Sequence, residues 1–181
     1  MNDTIQLNGR TYRIDVEADS DTGAPWEESD GHGIVSDWVT RDKHAGEWLL
    51  NSDRHSKRFY NFAATMKLAK ADSWGLGADR LTALTAKLGR APTKGEITAE
   101  AVRLDYEYLQ GWCNDQWYWV GVCVTDITDN ERAPIDYTFA LWGIGSEDDE
   151  FIKETAQDLA EQAYREYATE NRFSLAMACG V

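Results

Sequence analysis

At 181 residues, 43% hydrophobic and 12% aromatic, the chain has enough apolar material for one ordinary core and is expected to form a single domain, 1–181. Its formal charge of −14, from 32 acidic against 18 basic side chains, argues against direct binding to nucleic acid or anionic membrane and favours a basic protein surface as partner. There is no apolar run of about 18 residues, MNDTIQLNGR is not a signal peptide, and Cys113, Cys123 and Cys179 form no CxxC pair, so free thiols in a cytoplasmic protein are expected.

The opening TIQLNGRTYRIDVE alternates apolar and polar residues around Asn8-Gly9, a pair suited to the positive φ angles of a type I′ turn, and predicts a β-hairpin. Residues 14–40 then carry eight carboxylates and no Lys or Arg, with Trp26 and Trp38 among them. Acid interleaved with Trp, Ile and Val reads as a folded negative surface with anchors beneath it. Within it, 18–33 reads as a long loop around Pro25.

Residues 34–42 and 47–52 read as two short strands joined by a hairpin at 43–46. A helix over 56–72 is predicted next, capped by Ser52, Asp53 or Ser56, burying Phe59, Phe62 or Ala63, Met66 and Ala69, and exposing Lys57, Arg58, Lys67 and Lys70. A second helix over 78–87 has Leu81, Leu84 and Leu88 at helical spacing and stops at Gly89. Thr93 and Glu96 form a capping box for a third, whose stripe is Ile97, Ala101, Leu104, Tyr108 and Trp112.

Residues 117–128 and 134–144, the latter with Tyr137, are predicted as paired central strands. A long helix from Ser146 opens with Glu147, Asp148, Asp149 and Glu150, where the macrodipole favours acids, and turns Ile152, Ala156, Leu159, Ala163 and Tyr167 to the core. Fraying is expected past Asn171, with Phe173, Leu175 and Met177 free to dock. The order predicts an α+β fold, an antiparallel sheet of about six strands with three to four helices packed mainly on one face.

Charge is uneven along the chain: net −7 over 1–40, +5 over 41–103 and −12 over 104–181. Two acidic blocks that merged in space would make one strongly negative face. The candidate partner-binding residues are Asp19, Asp21, Trp26, Glu27, Glu28, Asp30 and Asp37 from the first block, and Glu147, Asp148, Asp149, Glu150, Glu154 and Asp158 from the second. Trp supplies energy at interfaces and charge steers the approach; alternatively Trp26 folds its acidic loop back and the acids serve solubility alone.

Chemistry-bearing motifs are few. Asp30-Gly31-His32-Gly33 sets a carboxylate near an imidazole, and with Arg41 offers an alternative reading as a metal-dependent or small-ligand site, although no further ligands stand at a telling spacing. The short signatures of the commoner enzymes are absent, and no catalytic residue, metal or cofactor is assigned.

The combination APWEE at 24–28, DGHG at 30–33, SDW at 36–38, TRDK at 40–43, SDR at 52–54 and SKR at 56–58 resembles a family of small proteins encoded by tailed bacteriophages and prophages. WCND at 112–115, WVGV at 119–122 and LWGI at 141–144 carry the resemblance over most of the chain. That resemblance implies expression inside a bacterial host and transfers no activity. By analogy with small acidic phage proteins, the expected function is that of a counter-defence inhibitor, of the anti-CRISPR or anti-restriction kind. It would bind a basic host protein or nucleoprotein effector as a nucleic-acid mimic. A non-catalytic structural phage factor is the other alternative.

Overall fold

The computed structural model describes residues 3–135 and 139–178, with side chains of the last helix up to Glu170. In chain order its elements are β1 (Asp3–Leu7), β2 (Arg10–Ala18), α1 (Pro25–Glu28), β3 (Glu47–Ser52), β4 (Lys57–Asn61), α2 (Phe62–Ala71), α3 (Ala78–Leu88), α4 (Lys94–Cys113), β5 (Trp119–Asp126), β6 (Ala140–Gly145) and α5 (Asp149–Ala178). They fall into two compact units, one made of Met1–Thr22 with Trp117–Val181 and the other of Gly23–Gln116. The chain leaves the first unit after β2 and returns to it as β5.

The first unit is a four-stranded antiparallel sheet in the order β1-β2-β5-β6. Its hairpin turns on Asn8 and Gly9 at φ 50° and 81°, as the Asn-Gly pair predicted. Alternation along the strands sends Tyr12, Ile14, Val120, Val122, Val124 and Ile144 to one face, where they meet Ala156, Ala160 and Ala163 of α5. Tyr167, expected in that core, is exposed and covers the Arg10 guanidinium at 3.7 Å from its ring centroid. On the opposite face Gly121 lets the Trp142 ring lie against β5, where a Cβ would collide with it. The register shifts between Val120 and Val122 at that point. β6 begins at Ala140, six residues after the predicted start at 134, and Tyr137 lies outside the described residues. α5 runs to Ala178 without ending near Asn171, while docking by Phe173, Leu175 and Met177 concerns side chains outside those described.

The second unit holds a separate two-stranded sheet, β3 with β4, so the predicted single sheet of about six strands is corrected to four strands plus two. The strand predicted at 34–42 is no continuous strand: it pairs with β4 through two isolated bridges, Val35 with Tyr60 and Val39 with Lys57. β3 instead pairs with residues assigned by sequence to the helix. Phe59 and Tyr60 favour the extended state, and Asp53 N–H donating to the Ser56 carbonyl closes the hairpin. The helix therefore begins at Phe62, with the Asn61 side chain accepting from Ala64 N–H as its cap. The loop predicted at 18–33 contains one helical turn, α1, with Pro25 at its start.

α3 ends at Gly89 in the left-handed region, φ 66°, and Thr93 and Glu96 make the full capping box of α4. The buried stripe of α4 is rotated from its predicted register. Thr98, Ala101, Val102 and Leu109 are buried, while Ile97, Leu104, Tyr108 and Trp112 are half-buried. That rotation brings Asp105 into the unit.

Candidate interaction surface

α5 presents the densest set of predicted site residues. Asp148 accepts from the N–H of Phe151 at 3.0 Å and so caps the first turn, while Asp149 and Glu150 sit in it. The macrodipole accounts for these acids but fades beyond one turn, so it leaves Glu154, Asp158 and Glu161 without that explanation. Glu150, Glu154 and Asp158 follow one another at four-residue spacing, about 6 Å of axial rise each, and all are exposed. Among the described residues no base pairs with any of them. Like charges at this spacing cost a helix about 0.2–0.5 kcal/mol per pair, so the arrangement works against the helix that carries it.

The other predicted residues divide. Asp15 and Glu17 alternate with Ile14 and therefore lie on the sheet face opposite α5, with Asp15 paired to Arg13 at 2.7 Å. Asp19 is used internally: its carboxylate accepts from the Thr22 hydroxyl at 2.6 Å and from the N–H groups of Asp21, Thr22 and Gly143. Those bonds, the Thr22 hydroxyl foremost, hold it below the usual carboxylate range. Asp21 is exposed beside it.

Trp26, Glu27, Glu28, Asp30 and Asp37 belong to the second unit, with the basic middle of the chain. Trp26 is half-buried, edge-on to Trp112 at 5.5 Å, and packs on the core of that unit. The Arg58 guanidinium, expected on an open helix face, is sandwiched between Trp26 and Trp38, 4.9 Å from each ring centroid. Its buried Nε has no hydrogen-bond partner among the described residues, so the rings serve as its main neighbours. Glu28 folds back to accept from Gly23 N–H at 2.9 Å. Glu27, Asp30 and Asp37 are exposed.

The His32 loop has a partner that sequence spacing missed. Asp105, with its side chain 8% exposed, meets His32 Nδ1 at 2.7 Å and accepts from Gly33 N–H at 2.8 Å and the Tyr60 hydroxyl at 2.7 Å. Burial first, then the neighbouring Asp105, raises the Tyr60 phenol far above its ordinary value, which keeps it a donor. His32 also stacks on Tyr108, with centroids 5.7 Å apart. The cluster ties the 31–33 loop to α4, and Gly33 is needed because a Cβ there would strike the Tyr60 ring. A signal for it existed in the sequence: a carboxylate at the helical spacing Thr98, Val102, Asp105, Leu109.

Neither proposed companion of His32 joins it. Asp30 makes no bond to it, and Arg41 forms a fork with the buried Glu47 at 2.7 and 2.8 Å. That fork holds Glu47 down to about 2, against the opposing effect of burial. Among the described residues no group of three or more His, Cys, Asp or Glu is placed to hold a metal, and no helix is long and apolar enough to cross a membrane.

Together these features define an α+β protein with, among the described residues, a row of acids on α5 that no base pairs in one unit and an internally paired polar network in the other. Comparison with protein-family models, characterised proteins and solved structures gives no match.

Proposed function

We propose that this chain is a phage-encoded acidic accessory protein that binds a basic surface of a host protein, as a counter-defence inhibitor does. The stretch from Glu147 to Asp158, at and within the start of α5, is its contact. The observation that carries this reading is the unpaired carboxylate series Glu150, Glu154 and Asp158, kept against its cost to the helix. A surface needed only for solubility has no reason to align its acids in one row, whereas a row of charges about 6 Å apart complements the Lys and Arg that normally face phosphates. Electrostatic complementarity of this kind speeds encounter and selects the partner.

The test is affinity capture from bacterial host lysate at low salt, repeated with duplex DNA as competitor. A basic, nucleic-acid-binding host protein should be retained, released by the duplex, and lost when Glu150→Gln, Glu154→Gln and Asp158→Asn are combined. Equal retention by the neutralised variant, folded as judged by circular dichroism, would remove α5 as the contact.

A further inference from the structure

Among the described residues, the core of the first unit is left uncovered at one end. A cavity of about 690 Å³ opens between the sheet and the first turns of α5, walled by Ile5, Ile14, Val16, Val120, Ile152 and Ala156. Its volume lies within the range of ligand pockets, about 300–1,000 Å³, more than enough for one large side chain. Val16 shares its strand face with Ile14, yet Ile14 is 7% exposed and Val16 is 50% exposed. Tyr118 at the rim is 53% exposed. Large apolar side chains are thus gathered around one opening on an otherwise acidic unit.

We infer that this cavity receives one large apolar side chain of the partner, presented on a segment whose flanking residues are Lys or Arg. The inference rests on the reading of α5 as the contact and adds what charge alone does not supply. Carboxylates steer and select, while most binding energy at interfaces comes from a few buried aromatic or aliphatic anchors. Charge complementarity chooses this occupant. Asp3 and Asp149 stand at the rim with Lys153 as the one base, and Glu147, Asp148 and Glu150 follow along the same end of α5. An anionic amphiphile would meet net repulsion there, and a neutral apolar ligand would gain nothing from the acids.

The experiment uses two labelled peptides, one with a central Trp flanked on both sides by Arg and the other identical except for Gly in place of Trp, with binding read by fluorescence anisotropy. N-acetyltryptophanamide is the competitor. The Trp peptide should bind about tenfold tighter than the Gly peptide, and that ratio should persist from about 0.05 to about 0.3 M salt while both affinities fall. Val16→Glu at the half-exposed mouth should abolish the ratio without weakening the Gly peptide. Neutralising Glu150, Glu154 and Asp158 should weaken both peptides alike and keep the ratio. Equal binding of the two peptides by the unaltered protein would overturn the anchor and leave the acidic contact standing. If neither peptide binds, the acidic contact falls with it. If N-acetyltryptophanamide alone binds as tightly as the Trp peptide, the cavity is a small-molecule site and the proposed occupant is wrong.

Discussion

The two units treat charge in opposite ways. Gly23–Gln116 contains 14 acids and 12 bases, and six of those acids, Asp42, Glu47, Glu96, Glu100, Asp105 and Glu107, stand in ion pairs with Lys, Arg or His. Met1–Thr22 with Trp117–Val181 contains 18 acids and six bases, a net −12 out of the total −14. Arg10 and Arg13 of that unit are engaged by Asp126 and Asp15 of the sheet and by Asp129 in the loop after β5, and the α5 row has no such partner among the described residues. The acidity of the chain is therefore no uniform coating. One unit pairs many of its carboxylates within and between its own loops, strands and helices, and the other leaves a row of them facing outward.

Three variants probe that contrast. The largest effect is expected at Asp105, whose removal strands the His32 ring nitrogen and the Gly33 N–H and leaves the Tyr60 hydroxyl only the Val102 carbonyl at 3.3 Å. Asp105→Ala should cost about 3 kcal/mol or more in urea unfolding, with lost amide protection in α4 and β4, because each buried unsatisfied group costs about 1–3 kcal/mol. A cost near zero would mean the cluster holds nothing.

Glu47→Gln should follow at about 2 kcal/mol, since it breaks a charge-assisted fork on a side chain only 7% exposed. Because Glu47 is held down to about 2 in the folded state, from an ordinary 4.5, the unfolded chain takes up its proton first on acidification. The contribution of the pair is thus full above about pH 4.5 and drains away as pH falls toward 2, and the variant should lack that part of the acid limb. Identical acid limbs for the two proteins would refute the assignment.

The smallest effect has the opposite sign. Glu154→Gln combined with Asp158→Asn should stabilise the protein by a few tenths, about 0.3–0.6 kcal/mol at low ionic strength, and the gain should vanish in about 1 M salt. A loss of stability instead would mean that these acids have internal partners and are not held for an external one.

Much of this fold is written locally. Asn8-Gly9 sets its hairpin, Gly89 and the Thr93–Glu96 box bound their helices, and alternation in β2 and β5 and the Ile152, Ala156, Ala163 spacing mark the faces that meet. In each case one or two residues decide a backbone conformation or a burial pattern, whatever lies elsewhere in the chain. The hairpin partner of β3 was not legible, because Ser56 is a good helix cap and Phe59-Tyr60 suits strand and helix alike until the Asp53–Ser56 turn is closed. Nor was the partner of His32, since Asp105 lies 73 residues away and reaches it only through the rotation of α4.

The same division applies to the acidic stretch at 14–40. By itself the sequence determined that the protein would be strongly acidic, built as α+β, with a long acid-capped C-terminal helix. Only the tertiary structure decided which carboxylates are used up inside and which stay free. Asp19 and Asp105 are consumed by hydrogen bonds whose donors include Gly143 and Tyr60, far along the chain, whereas Glu150, Glu154 and Asp158 have none brought to them among the described residues. Charge is a property of composition, but its satisfaction depends on distance in space, and that is fixed by folding.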